Sequence, residues 1–139
     1  MSEVDNELEL ALNFLDINQK HSIDRLFEIL SIPSISTQKK YKKDCLKAAN
    51  WFVKQLTDIG FEASTRETNG HPMVVAHFET KGPHFLFYGH YDVQPVDPIE
   101  LWNQGPFKPS IEETDKGKVI RARGASDDKG QVMTFIEAC

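Results

Sequence analysis

The sequence predicts an α/β fold, a sandwich of helices against a mixed sheet, and two observations carry that reading. Apolar residues recur at helical spacing from Leu8 to Ile59. From Phe61 onward they alternate or bunch as they do in strands, until a helical pattern returns after Asp128. The order helix, helix, strands, helix is that of a layered α/β domain.

Each element has its own signal. Leu8, Leu12 and Leu15, then Ile23, Leu26, Phe27 and Leu30, follow the helical period, and Ser22 suits the N-cap of the second stretch. The run Ile32-Pro33-Ser34-Ile35-Ser36 ends it, because proline cannot continue a helix. Cys45, Ala48, Ala49, Phe52, Leu56 and Ile59 form a second amphipathic stripe, with Gly60 as its stop. Lys39, Lys40, Lys42 and Lys43 read as a solvated loop and helix start. Phe61 to Glu67, Met73 to Phe78 and Phe85 to Tyr88 read as strands, with Thr80-Lys81-Gly82-Pro83 as a hairpin connection between the last two. Ser110 to Glu113 and Lys118 to Arg121 flank a second hairpin turn. Val132, Phe135 and Ile136 mark a final helix.

Composition narrows the function classes. The 139 residues are enough for one domain with a core, and 40% hydrophobic with 27% charged residues fits a soluble globular chain. The net charge of −5 argues against nucleic acid or an anionic membrane surface as a partner. No apolar run approaches the roughly 20 residues that span a bilayer. The acidic start, Met1 to Glu7, does not read as a secretory signal. Only Cys45 and Cys139 are present, which points to a reducing cytoplasm and not to a disulfide framework.

Two motifs hold the chemistry. Gly89-His90-Tyr91-Asp92-Val93-Gln94-Pro95 follows an apolar strand-like run, and its histidine stands where α/β sheets place their sites. A neutral imidazole ligates zinc well when its other nitrogen is fixed, and an Asp two residues on can fix it. The plain alternative is that both are loop residues satisfying backbone groups. Arg123-Gly124-Ala125-Ser126-Asp127-Asp128-Lys129-Gly130 puts two carboxylates at a tight turn into a helix. Helix capping explains one Asp. Two adjacent carboxylates repel unless a cation or hydrogen-bond donors offset them, and Lys129 could pair with one. His71 reads as turn chemistry, His77 and His84 as strand residues, His21 as a helix residue, and Glu137 as exposed. Trp102, Pro106 and Phe107 read as core packing before pocket lining. There is no phosphate-binding glycine loop and no serine nucleophile elbow.

Taken in order, Ile-Pro-Ser-Ile-Ser, Gly60-Phe61-Glu62, Gly-His-Tyr-Asp-Val-Gln-Pro, Trp102 with Pro106-Phe107, and Arg-Gly-Ala-Ser-Asp-Asp-Lys-Gly resemble the co-catalytic zinc metallopeptidases, the family of dipeptidases, aminoacylases and carboxypeptidases. The resemblance runs from about Ile23 to the end, and Val-Gln-Pro is most like the dipeptidase branch. It implies a three-layer α/β/α sandwich with a mixed sheet and a truncated catalytic domain. Residues 1–139 would be its N-terminal portion, without the C-terminal half or the lid and dimerisation domain.

The resemblance also implies roles. His90 would ligate one zinc, Asp127 would bridge two, and Asp92 would be the catalytic-site carboxylate that supports the His or a glutamate base. Asp128 would not be a ligand. In such enzymes two zinc ions about 3.5–4 Å apart activate a shared water. Co2+ or Mn2+ could replace Zn2+. The family's Glu-Glu pair, its further carboxylate and its distal His would lie past Cys139, so the isolated chain is expected to be inactive. The expected function is hydrolysis of dipeptides or small peptides in the cytoplasm by a full-length homodimer. The alternatives are an N-acyl amino-acid deacylase and a non-catalytic remnant. A cis peptide between Asp127 and Asp128 is implied for the metal-bound full-length relatives, whereas the shorter chain could hold either form.

Overall fold

The computed structural model describes residues 3–139. The first element, α1, is a single helix over Glu3–Leu30. Ser22 lies inside it and caps nothing; its hydroxyl donates to Glu137 Oε2 at 2.7 Å. The reason is in the sequence, which has neither glycine nor proline between Glu3 and Leu30 to break the helix. The apolar residues of its first half, Leu8, Leu12 and Leu15, are exposed, and burial becomes complete only at Ile29 and Leu30.

Pro33 ends the helical run, and a 3-10 turn at Lys39–Tyr41 leads into α2, Lys42–Asp58. Its buried residues Cys45, Ala48, Ala49, Phe52 and Leu56 follow the stripe read from the sequence. Gly60 ends the helix region with φ +98°, a left-handed conformation that glycine adopts without a Cβ clash. β1 (Glu62–Arg66) and β2 (Met73–His77) then pair antiparallel, with Ala63 opposite Ala76 and Thr65 opposite Val74. β3 (Ser110–Thr114) and β4 (Gly117–Arg121) form a second hairpin, and α3 spans Lys129–Ala138. The Asp97–Pro98 and Asp127–Asp128 peptides are cis.

The main core is made where the three helices meet. Ile29 and Ile32, Ala48, Phe52 and Leu56, and Met133 and Ile136 bury one another, with Val74 and Ala76 of β2 packed against them. A smaller cluster joins Ile35, Val93 and Val96 under Phe107. Arg25 Nη2 and Glu137 Oε2, 2.5 Å apart, tie α1 to α3, so Glu137 is largely covered and not the exposed residue that its helical position suggested.

The α/β class is the expected one, but the strands do not merge into one mixed sheet. Among the described residues they form two separate antiparallel hairpins, and the parallel component is a single bridge between Ile35 and Val93. Phe85 to Tyr88 forms no strand and has no strand partner among the described residues, with Phe85 90% and Leu86 98% exposed. Thr80 to Pro83 therefore connects no hairpin. A run apolar on both sides is a buried, central-type strand, stable only with neighbours at both edges and cover on both faces. Phe87 stacks on Phe135 of α3, which supplies only part of that surround.

Candidate metal centre

Both motifs converge. The loop after Phe87-Tyr88 brings in His90, and the turn before α3 brings in Asp127, so that His90 Nε2 lies 3.0 Å from Asp127 Oδ1. On the far side of the ring, Nδ1 lies 3.1 Å from both Asp92 Oδ1 and the Asp92 carbonyl oxygen. Nδ1 thus faces two acceptors and Nε2 a third, so the charged ring donates from both nitrogens, and with the proton on Nδ1 alone Nε2 would offer its lone pair to a cation held with Asp127. Asp128, the N-cap residue of α3, turns the other way, and its Oδ2 accepts the His90 backbone N–H at 2.9 Å. The adjacent carboxylates are therefore divided between two tasks.

Exposure grades the three side chains. His90 and Asp92 are little more than a third exposed, whereas Asp127 is 81% exposed. Burial pulls the His90 pKa down, but the hydrogen bonds that the ring donates to the Asp92 carbonyl and to Asp127, with the charges of Asp92 and Asp128, outweigh it and hold the pKa above the ordinary histidine value. A cluster that stabilises positive charge on this ring favours a cation in the same field.

The donor set fits a metal ion as far as it goes. Donors bound about 2.0–2.1 Å from a tetrahedral zinc stand about 3.3 Å apart, close to the 3.0 Å between Nε2 and Oδ1. Among the described residues no group of three or more His, Cys, Asp or Glu is placed to hold an ion, so the chain offers a pair of donors and not a complete coordination shell. His77 and His84 face each other, with ring centroids 5.8 Å apart. His71 donates from Nε2 to the Ser36 carbonyl at 2.8 Å, in keeping with its turn setting.

The surroundings hold residues whose roles the motifs did not reveal. Lys129 pairs with neither aspartate. It is wholly buried, and its ammonium donates to the carbonyls of Ile29 and Ile32. Ser36 donates to Asp92 Oδ2. Neither contact has a spacing signal, because each joins residues far apart in the chain. Trp102 donates to the Val96 carbonyl at 2.9 Å and stacks under Arg123, and Phe107 packs on the smaller core, so both serve packing. Beside His90 opens an apolar cavity of about 580 Å³, lined among others by Phe52, Val74, Phe87, Tyr91 and Phe135.

The chain is similar to several known proteins. Residues 86–139 match the peptidase family M20/M25/M40. A succinyl-diaminopimelate desuccinylase of Bordetella avium is 33% identical over 84% of this chain. A Cys-Gly metallodipeptidase of Schizosaccharomyces pombe is 27% identical over 94% of it. Among solved structures, the di-peptidase Dug1p of Saccharomyces cerevisiae superposes with a TM-score of 0.78 at 26% identity over 91% of this chain and 29% of its own. Human carnosine dipeptidase 1 superposes with a TM-score of 0.79 at 25% identity over 94% of this chain and 30% of its own. The chain spans 28% and 29% of the lengths of the first two relatives. In the described residues no helix is long and apolar enough to cross a membrane.

Proposed function

Because this chain is a relative of the M20/M25/M40 peptidases, we propose that it supplies the His90–Asp127 half of a two-zinc hydrolytic site and works on dipeptides or small peptides. Residues 1–139 are then the N-terminal portion of a zinc-peptidase catalytic domain. The observation that carries the reading is the 3.0 Å approach of His90 Nε2 to Asp127 Oδ1 with Asp92 held behind the ring.

His90 and Asp127 would hold Zn2+, with Co2+ or Mn2+ as substitutes. Bound there, the metal supplies Lewis-acid polarisation and a water of lowered pKa. The chain's own residues do the rest. Asp92 keeps the proton of His90 on Nδ1, so Nε2 stays a donor lone pair. Asp128 fixes the His90 backbone, and Asp127 projects into solvent where a substrate can approach. The apolar cavity beside His90 suits an apolar side chain of a small peptide. The reading includes a cytoplasmic setting and a homodimeric full-length protein. The net charge of −5 supports a small-molecule substrate over nucleic acid.

A second reading has its own support: the desuccinylase relative makes an N-acyl amino acid a rival substrate. The metal reading is tested by titrating Zn2+ into the purified chain. Binding should be weak and should vanish in both His90→Ala and Asp127→Ala. Binding that survives both substitutions overturns the assignment. Grafting this chain in place of the matching stretch of the Cys-Gly metallodipeptidase separates the substrates. Dipeptide cleavage supports the first reading, and cleavage of N-succinyl amino acids alone supports the second.

A further inference from the structure

The site has a support that reaches it from a distant part of the chain. Ser36 lies in the loop after α1, and its backbone is pinned on several sides. Ile35 bridges to Val93, the Val93 N–H donates to the Ser34 carbonyl at 2.9 Å, and the Ser34 hydroxyl donates to the Tyr91 carbonyl at 2.7 Å. His71 Nε2 donates to the Ser36 carbonyl at 2.8 Å. With its backbone so held, the Ser36 hydroxyl donates to Asp92 Oδ2, while Oδ1 of the same carboxylate faces His90 Nδ1 at 3.1 Å.

We infer that Ser36 is a positioning residue of the metal centre, which orients the Asp92 carboxylate so that only Oδ1 meets the His90 ring and Nε2 is aimed at Asp127. This rests on the metal-site reading of His90 and Asp127. An ionised carboxylate accepts and cannot donate, so the direction of the chain is fixed: Ser36 to Asp92, and His90 to Asp92. Asp92 is 39% exposed, enough for its side chain to swing to water once that anchor is gone. Loss of such an anchor loosens the ring, and metal affinity falls with it.

The test is a double-mutant cycle on Zn2+ alone, followed at the His90 ring resonances by NMR, with Ser36→Ala, Asp92→Ala, the pair together, and Ser36→Thr. Asp92→Ala should weaken binding by about tenfold or more, the range of supporting carboxylates, and Ser36→Ala by less, about three- to tenfold. In the Asp92→Ala background Ser36→Ala should add nothing, because its effect passes through Asp92. Ser36→Thr keeps the hydroxyl and should restore affinity. Additive losses, an unchanged affinity in Ser36→Ala, or failure of the threonine to rescue would each overturn the inference. A second readout needs no metal. On the alkaline side of the ring's ionisation, the wild-type ring should carry its proton on Nδ1, and Ser36→Ala should mix the two tautomers. Equal tautomer populations in both proteins sink the positioning role. Absence of Zn2+ binding to the wild type, with the tautomer shift present, sinks the metal reading and leaves the orientation by Ser36 standing.

Discussion

Lys129 Nζ stands 2.7 Å from the carbonyl oxygen of Ile32, 97 positions earlier in the chain, and the lysine is wholly buried. A second bond at 3.0 Å reaches the Ile29 carbonyl. The ammonium thus closes the C-terminal end of α1 onto the turn that carries Asp127. Buried ammonium groups are costly unless their protons are used, and here two of three are.

Replacing it with methionine should therefore be mild for a buried charge. Ile29 and Ile32 each keep a second partner, the N–H groups of Ile32 and Ser34, so neither carbonyl is orphaned. Lys129→Met should cost about 1–2 kcal/mol, the net worth of such bonds, and not the 3–5 kcal/mol of a broken buried ion pair. Urea unfolding of the two proteins measures the difference. A loss above that range would mean that the ammonium organises more than the end of α1.

Stability should also depend on pH in a specific way. Burial lowers the Lys129 pKa from 10.5 to about 8, and it raises the Cys45 pKa from 9.0 to about 11. Below pH 8 Lys129 is charged in both states and its burial penalty is complete. Above pH 8 the folded protein has released a proton that the unfolded chain keeps, so stability rises. Above pH 9 the unfolded Cys45 ionises while the folded thiol stays protonated, so stability falls. The outcome is a gain of roughly 1 kcal/mol between pH 8 and 9, then a plateau. Cys45→Ala should extend the rise beyond pH 9, and Lys129→Met should abolish it. A monotonic fall from pH 8 in the wild type would contradict both assignments.

Gly130 is a third point of control. A Cβ there would stand 2.0 Å from the Ala125 carbonyl oxygen, a backbone atom that cannot move aside without opening the turn. Gly130→Ala should destabilise the fold by about 1–3 kcal/mol or more through overpacking and should weaken Zn2+ binding in parallel, since Asp127 sits in the same turn. Thermal unfolding and Zn2+ titration together check this. A variant with unchanged melting would show that the turn yields at little cost.

Much of this was legible in the sequence, and the limits have physical causes. The stripe from Cys45 to Ile59 was readable because one helix face makes one core contact. The turn between β3 and β4 was readable from Gly117, which adopts φ +103°. His90, Asp92 and Asp127 stood out because their chemistry is concentrated in short motifs. Ser36 and Lys129 were not readable in their roles. Each acts through a contact with residues dozens of positions away, which no local period encodes. Glu137 was misjudged because its partner Arg25 comes from the opposite end of the chain. Phe85 to Tyr88 has the composition of a central strand, but pairing is a property of neighbours and not of the strand.

That unpaired run carries the last prediction. Phe85, Leu86 and Tyr88 are 90%, 98% and 83% exposed, in an apolar run with no strand partner among the described residues. Such a run promotes association by strand pairing and apolar burial together. Burying one leucine-sized side chain is worth about 1.5–3 kcal/mol, which is about tenfold or more in an association constant. Leu86→Lys should therefore raise the concentration at which the chain begins to associate by about tenfold, through lost burial and added charge repulsion. Melting temperature should not change, because the Leu86 side chain makes almost no contact within the folded chain. Light scattering across a dilution series measures the onset, and calorimetry measures the melt. An unchanged onset would place the sticky surface elsewhere, with the exposed first half of α1, where Leu10, Phe14 and Ile17 are 62%, 61% and 82% exposed, as the next surface to alter.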